Sequence, residues 1–144
     1  MTRRYLAIAM GGAFGAALRW AVAAAWNHGG AFPWPTFAVN VVGCGALGVV
    51  LAEEWGHPRS HLALHDFAGI GFCGGLTTFS TFAVESVDLV DAGRTWLAFR
   101  YVVASLAAGL GAYILAGEST RRVRARFGPE AAPSALALPL EEEP

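Results

Sequence analysis

Residues 20–52 contain no Asp, Glu, Lys or Arg, and most of their side chains are apolar. A soluble domain has about 25% charged residues, whereas this chain of 144 residues has 15% charged and 55% hydrophobic residues. Its hydrophobicity excludes disorder for most of its length, and its two cysteines are too few for a disulfide framework. The composition predicts an integral membrane protein built mainly of small residues.

About 20 apolar residues in a helix cross a bilayer, and four segments approach that length. We predict spans over residues 5–26, 32–52, 66–84 and 96–116. The first is expected to be a retained span and not a signal peptide, because its apolar run is long and contains Arg19. The spans carry small residues spaced by four, such as Gly11 with Gly15 and Gly71 with Gly75. This spacing predicts close packing within one bundle, with packing against a second copy as the alternative.

The third span is unusual because its centre, Gly74–Phe82, contains paired glycines and several hydroxyl side chains. These residues are poor helix formers, so we expect this helix to be broken. Backbone groups freed by a break must be satisfied by protein, water or an ion. The candidates to line a polar path are Thr77, Thr78, Ser80 and Thr81. Phe79 and Phe82 share a helix face, and phenyl edges can face an anion; core packing is the alternative.

Four further polar residues lie within predicted spans, and each has two interpretations. Arg19 is either an interface anchor or a cation at the mouth of a pathway. Asn40 either bonds another helix or donates to a dehydrated anion. Ser105 lies one turn from Tyr101, and either bonds its own helix or extends a row of hydrogen-bond donors. These residues are therefore candidates for a pathway.

Four spans place both termini on one side of a membrane. That side carries Arg3, Arg4, Arg59, Arg121, Arg122, Arg124 and Arg126. An excess of positive charge predicts the cytoplasmic side. We expect a four-helix transmembrane domain over residues 1–117, and a basic stub with a mostly disordered tail over residues 118–144. The net charge of −1 gives no field that would attract nucleic acid.

Three motifs resemble those of the Fluc (CrcB) fluoride channels. Residues 74–82, Gly-Gly-Leu-Thr-Thr-Phe-Ser-Thr-Phe, are similar to the most specific motif of that family. Residues 11–20 resemble the first-span motif, in which Tyr more often follows the Arg, and residues 36–43 resemble the second-span motif. The resemblance extends over residues 5–116.

This resemblance implies an ion channel that exports fluoride passively across the bacterial inner membrane and lowers cytoplasmic fluoride. It implies an all-α, four-span subunit that forms an antiparallel, dual-topology homodimer around a sodium ion, with Gly74 and Thr77 giving backbone carbonyls to the sodium. Arg19 matches a vestibule arginine. Together, the residues and the resemblance assign the fluoride pathway to Asn40, Phe79, Phe82, Ser80, Thr81, Tyr101 and Ser105. Two features depart from the family: Gly109 offers no hydroxyl one turn after Ser105, and the tail arginines favour one orientation.

Two other classes of function compete with this interpretation. A proton-coupled multidrug or cation exporter can also be a short four-span chain, but it needs a membrane-embedded carboxylate, and Glu85 lies at the end of span three. A metal-binding membrane enzyme or a metal transporter is the second, suggested by His57, His61 and His65 at spacing four, although Pro58 disturbs a helix there. We interpret the two cysteines as inert packing thiols and expect no catalysis, because no Ser–His–Asp arrangement is evident.

Overall fold

The computed structural model describes residues 2–26, 30–52 and 64–127, and all regular elements in these ranges are helices. They are α1 (Thr2–Ala25), α2 (Trp34–Ala52), α3 (Asp66–Cys73, wound as a π-helix), α4 (Gly74–Leu76), α5 (Ser80–Asp91) and α6 (Thr95–Phe127). Four segments are long and apolar enough to span a membrane: Thr2–Ala25, Trp34–Ala52, Asp66–Asp91 and Thr95–Arg126. Large apolar side chains are exposed on all four of these segments. The predicted four-span, all-α membrane architecture is confirmed.

Turn residues set the ends of α2, α5 and α6. Pro35 lies in the first turn of α2, where its missing N–H costs no helical hydrogen bond. Gly93 follows α5 with φ 72°, a left-handed conformation that glycine adopts without strain. The N–H of Arg94 then donates to the Leu89 carbonyl at 2.8 Å, which closes the turn into α6. The turn at Gly93 joins α5 to α6, and the two helices pack against each other.

The last helix is longer than its hydropathy predicts. It continues past the expected domain boundary at residue 117 and ends at Phe127. Residues 118–126 contain no Gly or Pro, and Arg121 donates to the Glu118 carboxylate one turn away at 3.0 Å. A helix of 33 residues measures about 50 Å, and a bilayer core is about 30 Å thick. The basic end of α6 therefore extends beyond the apolar layer. The basic stub and tail predicted over residues 118–144 begin as helix, and residues 128–144 lie outside the described residues.

Glycines allow α1 to pack backbone to backbone on α3 and α4. Gly11 and Gly15 are both buried in this contact. A β-carbon added at Gly15 would lie 2.7 Å from the Leu76 nitrogen, and one at Gly75 would lie 2.9 Å from the Gly12 Cα. No larger residue fits these positions without moving backbone. The predicted close packing of small residues is confirmed for Gly11, Gly15, Gly71 and Gly75, and it fixes the third span against the first.

An ion pair joins the first turns of α1 and α3. Asp66 is 2% exposed and accepts two hydrogen bonds from Arg4, from Nε at 2.6 Å and from one terminal nitrogen at 3.1 Å. This bidentate geometry is the strong form of an arginine–carboxylate pair. It holds the two helices in register at the end of the bundle opposite Arg19.

Candidate functional site

The third span leaves helical geometry between α4 and α5. Thr77 is extended, with φ −78° and ψ 156°, and the next helix begins at Ser80. In a continuous helix the N–H of Thr78 would bond the Gly74 carbonyl. Instead it donates to Oδ1 of Asn40 at 2.8 Å, and Nδ2 of Asn40 donates to the Thr78 carbonyl at 3.0 Å. One side-chain amide from α2 thus satisfies both backbone groups of Thr78.

Arg19 reaches the same interruption from α1. Its Nε donates to the Gly75 carbonyl at 3.2 Å. That carbonyl would bond the N–H of Phe79 in a continuous helix. The half-buried Arg19 side chain also lines a cavity of about 300 Å³ together with Thr36, Thr78 and Thr81. The sequence offered two interpretations of Arg19, an interface anchor and a cation at the mouth of a pathway. The structure shows a third feature, a hydrogen bond from Arg19 to the backbone of the third span.

The hydroxyls of the third span bond mainly to their own segment. Oγ1 of Thr78 accepts the N–H of Thr81 at 3.2 Å and donates to Oγ1 of Thr81 at 3.1 Å. It lies 3.3 Å from Oγ of Ser80, which is exposed. Thr78 thus caps the N-terminus of α5, whose positive dipole end faces the interruption. The hydroxyl of Thr77 donates to the Cys73 carbonyl at 2.9 Å.

A larger cavity of about 540 Å³ brings together side chains from α2, the third span and α6. Of the residues predicted from the sequence it is lined by Asn40, Gly74, Thr77, Phe79, Phe82 and Ser105. The ring of Phe79 is 78% exposed and lies 5.8 Å, centroid to centroid, from that of Phe82. Gly109 lines the same cavity and contributes no hydroxyl there. The wall is otherwise mostly apolar.

Ser105 differs from the other hydroxyl residues at this cavity. Its Oγ is buried and has no hydrogen-bond partner, and it is the one such side-chain atom among residues 2–26, 30–52 and 64–126. Buried polar groups are nearly always paired, so an unpaired one requires an explanation. The Ser105 hydroxyl therefore keeps a proton that no group in the described part of the chain accepts.

Tyr101 lies behind the cavity wall. It is 0% exposed, its ring is 5.2 Å from that of Phe82, and its hydroxyl donates to the Glu85 carboxylate at 2.8 Å. The other oxygen of that carboxylate accepts the Thr36 hydroxyl at 2.8 Å. Sequence reasoning did not identify Thr36 and Glu85 as site residues. Glu85 had a signal in the sequence, because it lies three residues after Phe82 and four after Thr81, on the same helix face.

Most of the predicted site residues line one of two cavities. The larger cavity is lined by Asn40, Gly74, Thr77, Phe79, Phe82 and Ser105, and the smaller one by Arg19 and Thr81. Ser80 and Tyr101 line neither of them. The residues that the structure describes contain no group of three or more His, Cys, Asp or Glu able to hold a metal. His57 and His61 lie outside those residues, so the histidine hypothesis stays a prediction.

These features define a small helical membrane protein with a partly polar cavity beside its third span. Residues 6–117 match the family described as CrcB-like protein, Camphor Resistance (CrcB), and the chain belongs to this family. It is 45% identical to "Fluoride-specific ion channel FluC 2" of Streptomyces avermitilis, over 69% of this chain and 63% of the relative. It is 42% identical to "Fluoride-specific ion channel FluC 1" of Streptomyces coelicolor, over 81% of this chain and 76% of the relative. It is 39% identical to "Fluoride-specific ion channel FluC 2" of Nocardia farcinica, over 81% of this chain and 84% of the relative.

Proposed function

We propose that this chain is the subunit of a fluoride-selective channel, which conducts the anion passively and lowers its cytoplasmic concentration. The observation that carries the proposal is the Ser105 hydroxyl, buried and unpaired at the wall of a cavity that Asn40, Phe79 and Phe82 also line. The names of its relatives support the same ion. The protein acts as a channel and catalyses no reaction.

The chemistry of the cavity suits a small anion that holds water strongly. A pathway must replace that water with donors, and Ser105 supplies a free hydroxyl. Asn40 uses one N–H of its NH2 group on Thr78, and a primary amide carries two. The edges of Phe79 and Phe82 are electropositive but hydrate an anion weakly, so binding stays reversible. We place Ser80, Thr81 and Tyr101 at the margins of the pathway, since their hydroxyls already bond protein groups or lie outside the large cavity.

We further propose that two copies assemble as an antiparallel homodimer around a sodium ion. Phe79 and Gly74 are exposed in the single subunit, and a β-carbon at Gly74 would meet nothing within 4 Å. A second copy seated there would close the large cavity. The donor set fits sodium, because the interruption turns the carbonyls of Gly74 and Thr77 out of the helical ladder and unwound carbonyls bind such cations. The ion would tie the two interrupted spans together.

We place the channel in the bacterial inner membrane. In one subunit the arginines at the start of α1 and the end of α6 lie on the same side, which favours cytoplasmic termini. An antiparallel pair requires that some copies insert in the opposite orientation despite this charge. Labelling of a terminal cysteine from each side of inverted vesicles measures the two populations directly.

A proton-coupled exporter is the alternative from another class. That mechanism needs a carboxylate free to exchange protons inside the membrane. In the structure both carboxylate oxygens of Glu85 accept hydrogen bonds, one from the Thr36 hydroxyl and one from the Tyr101 hydroxyl. This arrangement favours the channel over the exporter.

Ion efflux from proteoliposomes tests the proposal. We expect fast fluoride efflux down its gradient, measured with a fluoride electrode, and no chloride efflux from matched vesicles. Drug-dependent proton flux without fluoride flux would instead establish the exporter. The sodium proposal is tested separately by crystallography, where a peak between the two copies should disappear when sodium is withdrawn.

A further inference from the structure

We propose that Arg19 is a positioning residue for the interrupted span, acting through the hydrogen bond from its Nε to the Gly75 carbonyl. This bond replaces the helical bond that Gly75 loses at the interruption. It thereby orients the neighbouring carbonyls of Gly74 and Thr77 toward the shared cation. The inference rests on the proposed function, because it assigns to Arg19 a role in building the proposed sodium site.

The face of α1 that carries Arg19 is built to reach this carbonyl. Gly11, Gly15 and Arg19 are spaced by four and lie on one face. The two glycines are buried against the backbone of α3 and α4, where Gly15 lies beside the nitrogen of Leu76. The next turn of α1 therefore brings the guanidinium to the end of α4, where Nε lies 3.2 Å from the Gly75 carbonyl oxygen.

A carbonyl at this depth needs a partner. A peptide group without one is costly in an apolar environment, and a charged donor forms one of the stronger hydrogen bonds. On the other side of the interruption, Asn40 binds both backbone groups of Thr78. Gly74 and Thr77 thus each precede a residue whose backbone is held by a side chain from another helix. Fixing Gly75 and Thr78 restricts the peptide planes between them, which include the Thr77 carbonyl, and it also restricts the adjoining Gly74–Gly75 peptide, which carries the Gly74 carbonyl.

The competing role for Arg19 is electrostatic, as a cation that attracts anions into the vestibule. Two substitutions separate the roles, because one keeps a donor at the position of Nε without the charge and the other keeps the charge without that donor. Glutamine places its amide nitrogen the same number of bonds from the backbone as arginine Nε, without the charge. Lysine keeps the charge but places a methylene at that position. Positioning therefore predicts that Arg19→Gln retains more function than Arg19→Lys, and attraction predicts the reverse.

The experiment compares wild type, Arg19→Gln, Arg19→Lys and the control Arg100→Gln, whose arginine is exposed near the start of α6. The first readout is thermal stability in detergent as sodium replaces N-methylglucamine at constant ionic strength. The second is fluoride efflux from proteoliposomes over the same range of sodium concentration. We expect Arg19→Lys to need roughly tenfold more sodium for half-maximal stabilisation, the effect of losing one hydrogen bond to a charged group. We expect Arg19→Gln to need less sodium than Arg19→Lys, and Arg100→Gln to match wild type.

Each other outcome overturns the inference. If Arg19→Lys outperforms Arg19→Gln, or if both respond to sodium like wild type, Arg19 does not position the carbonyls. Misfolding of Arg19→Gln, seen as loss of the monodisperse dimer peak, contradicts it as well, because glutamine keeps the proposed donor. Measurements on the wild-type protein distinguish a failure of this inference from a failure of the proposed function. Wild type that neither conducts fluoride nor responds to sodium refutes the channel and its sodium site, whereas a reversed order of variants beside a functional wild type refutes only the role of Arg19.

Discussion

Asn40 and Thr78 form a reciprocal pair of hydrogen bonds, with Nδ2 donating to the Thr78 carbonyl at 3.0 Å and the Thr78 N–H donating to Oδ1 at 2.8 Å. The amide of Asn40 acts as a substitute peptide, supplying the donor and the acceptor that the interrupted helix has lost. It also lines the large cavity, where its second N–H remains to be used. The same side chain therefore holds the backbone and offers a donor to an ion.

Asn40→Asp tests both tasks with almost no change in size. The carboxylate still accepts the Thr78 N–H, but it places a second oxygen opposite the Thr78 carbonyl and removes both amide protons from the cavity. We expect fluoride efflux to fall by roughly tenfold or more, since a lost hydrogen bond and an unfavourable charge each cost more than about 1 kcal/mol. A fluoride electrode on proteoliposomes measures the rate. Efflux equal to that of wild type would show that neither the amide protons nor the bond to Thr78 is needed.

The phenylalanines at the cavity are tested by Phe79→Ile and Phe82→Ile. Isoleucine keeps an apolar side chain but removes the electropositive ring edge, so we expect fluoride efflux to fall by roughly tenfold, the upper value for an aromatic interaction. The matched control is Phe99→Ile, because Phe99 is 56% exposed, stacks on Trp96 and lines neither of the two cavities described. All three variants should elute like wild type on size exclusion. Equal efflux from all of them would remove the two rings from the pathway.

Much of the fold was predictable, because membrane spans follow from length and hydropathy and the glycine spacing indicated close packing. The length of α6 was not, since hydropathy falls at Glu118 while helix propensity does not. Residues 118–126 include good helix formers and no Gly or Pro, so the helix continues until Gly128 and Pro129. Hydropathy indicates which residues lie in lipid. It does not indicate where a helix ends, because a helix can continue into water past the edge of the lipid.

The candidate site was predictable as a set of residues but not as a set of bonds. The sequence marked Arg19 and Asn40 as unusual, because each is costly in an apolar span. Their partners, Gly75 and Thr78, depend on how three helices pack, which no local pattern encodes. The sequence places Glu85 at the end of the third span, yet the bundle brings its carboxylate to the hydroxyls of Thr36 and Tyr101. Pairing across helices is the part of a polar site that single-sequence reasoning misses.

Alanine substitutions should have opposite effects at Gly15, which lies in the backbone contact between α1 and α4, and at Gly111, which lies on α6. A β-carbon at Gly15 would lie 2.7 Å from the Leu76 nitrogen, whereas one at Gly111 would meet nothing within 4 Å. Gly15→Ala should therefore destabilise the protein by about 1–3 kcal/mol, the range for overpacking. Gly111→Ala should be neutral or stabilising by up to about 1 kcal/mol through helix propensity. Thermal inactivation in detergent measures both, and similar behaviour of the two variants would contradict the packing described.

Ser105 and Ser119 offer a matched pair on one helix. Oγ of Ser119 is exposed and donates to the Leu115 carbonyl at 2.7 Å, whereas Oγ of Ser105 is buried without a partner. Removing an unpaired buried hydroxyl relieves a desolvation cost, so we expect Ser105→Ala to keep or slightly raise thermal stability. If that hydroxyl serves the ion, the same variant should lose fluoride efflux, by roughly tenfold for one hydrogen bond to an anion. Ser119→Ala should match wild type in both measurements. A structural role for Ser105 predicts the opposite pattern, in which stability falls and efflux per folded dimer is retained.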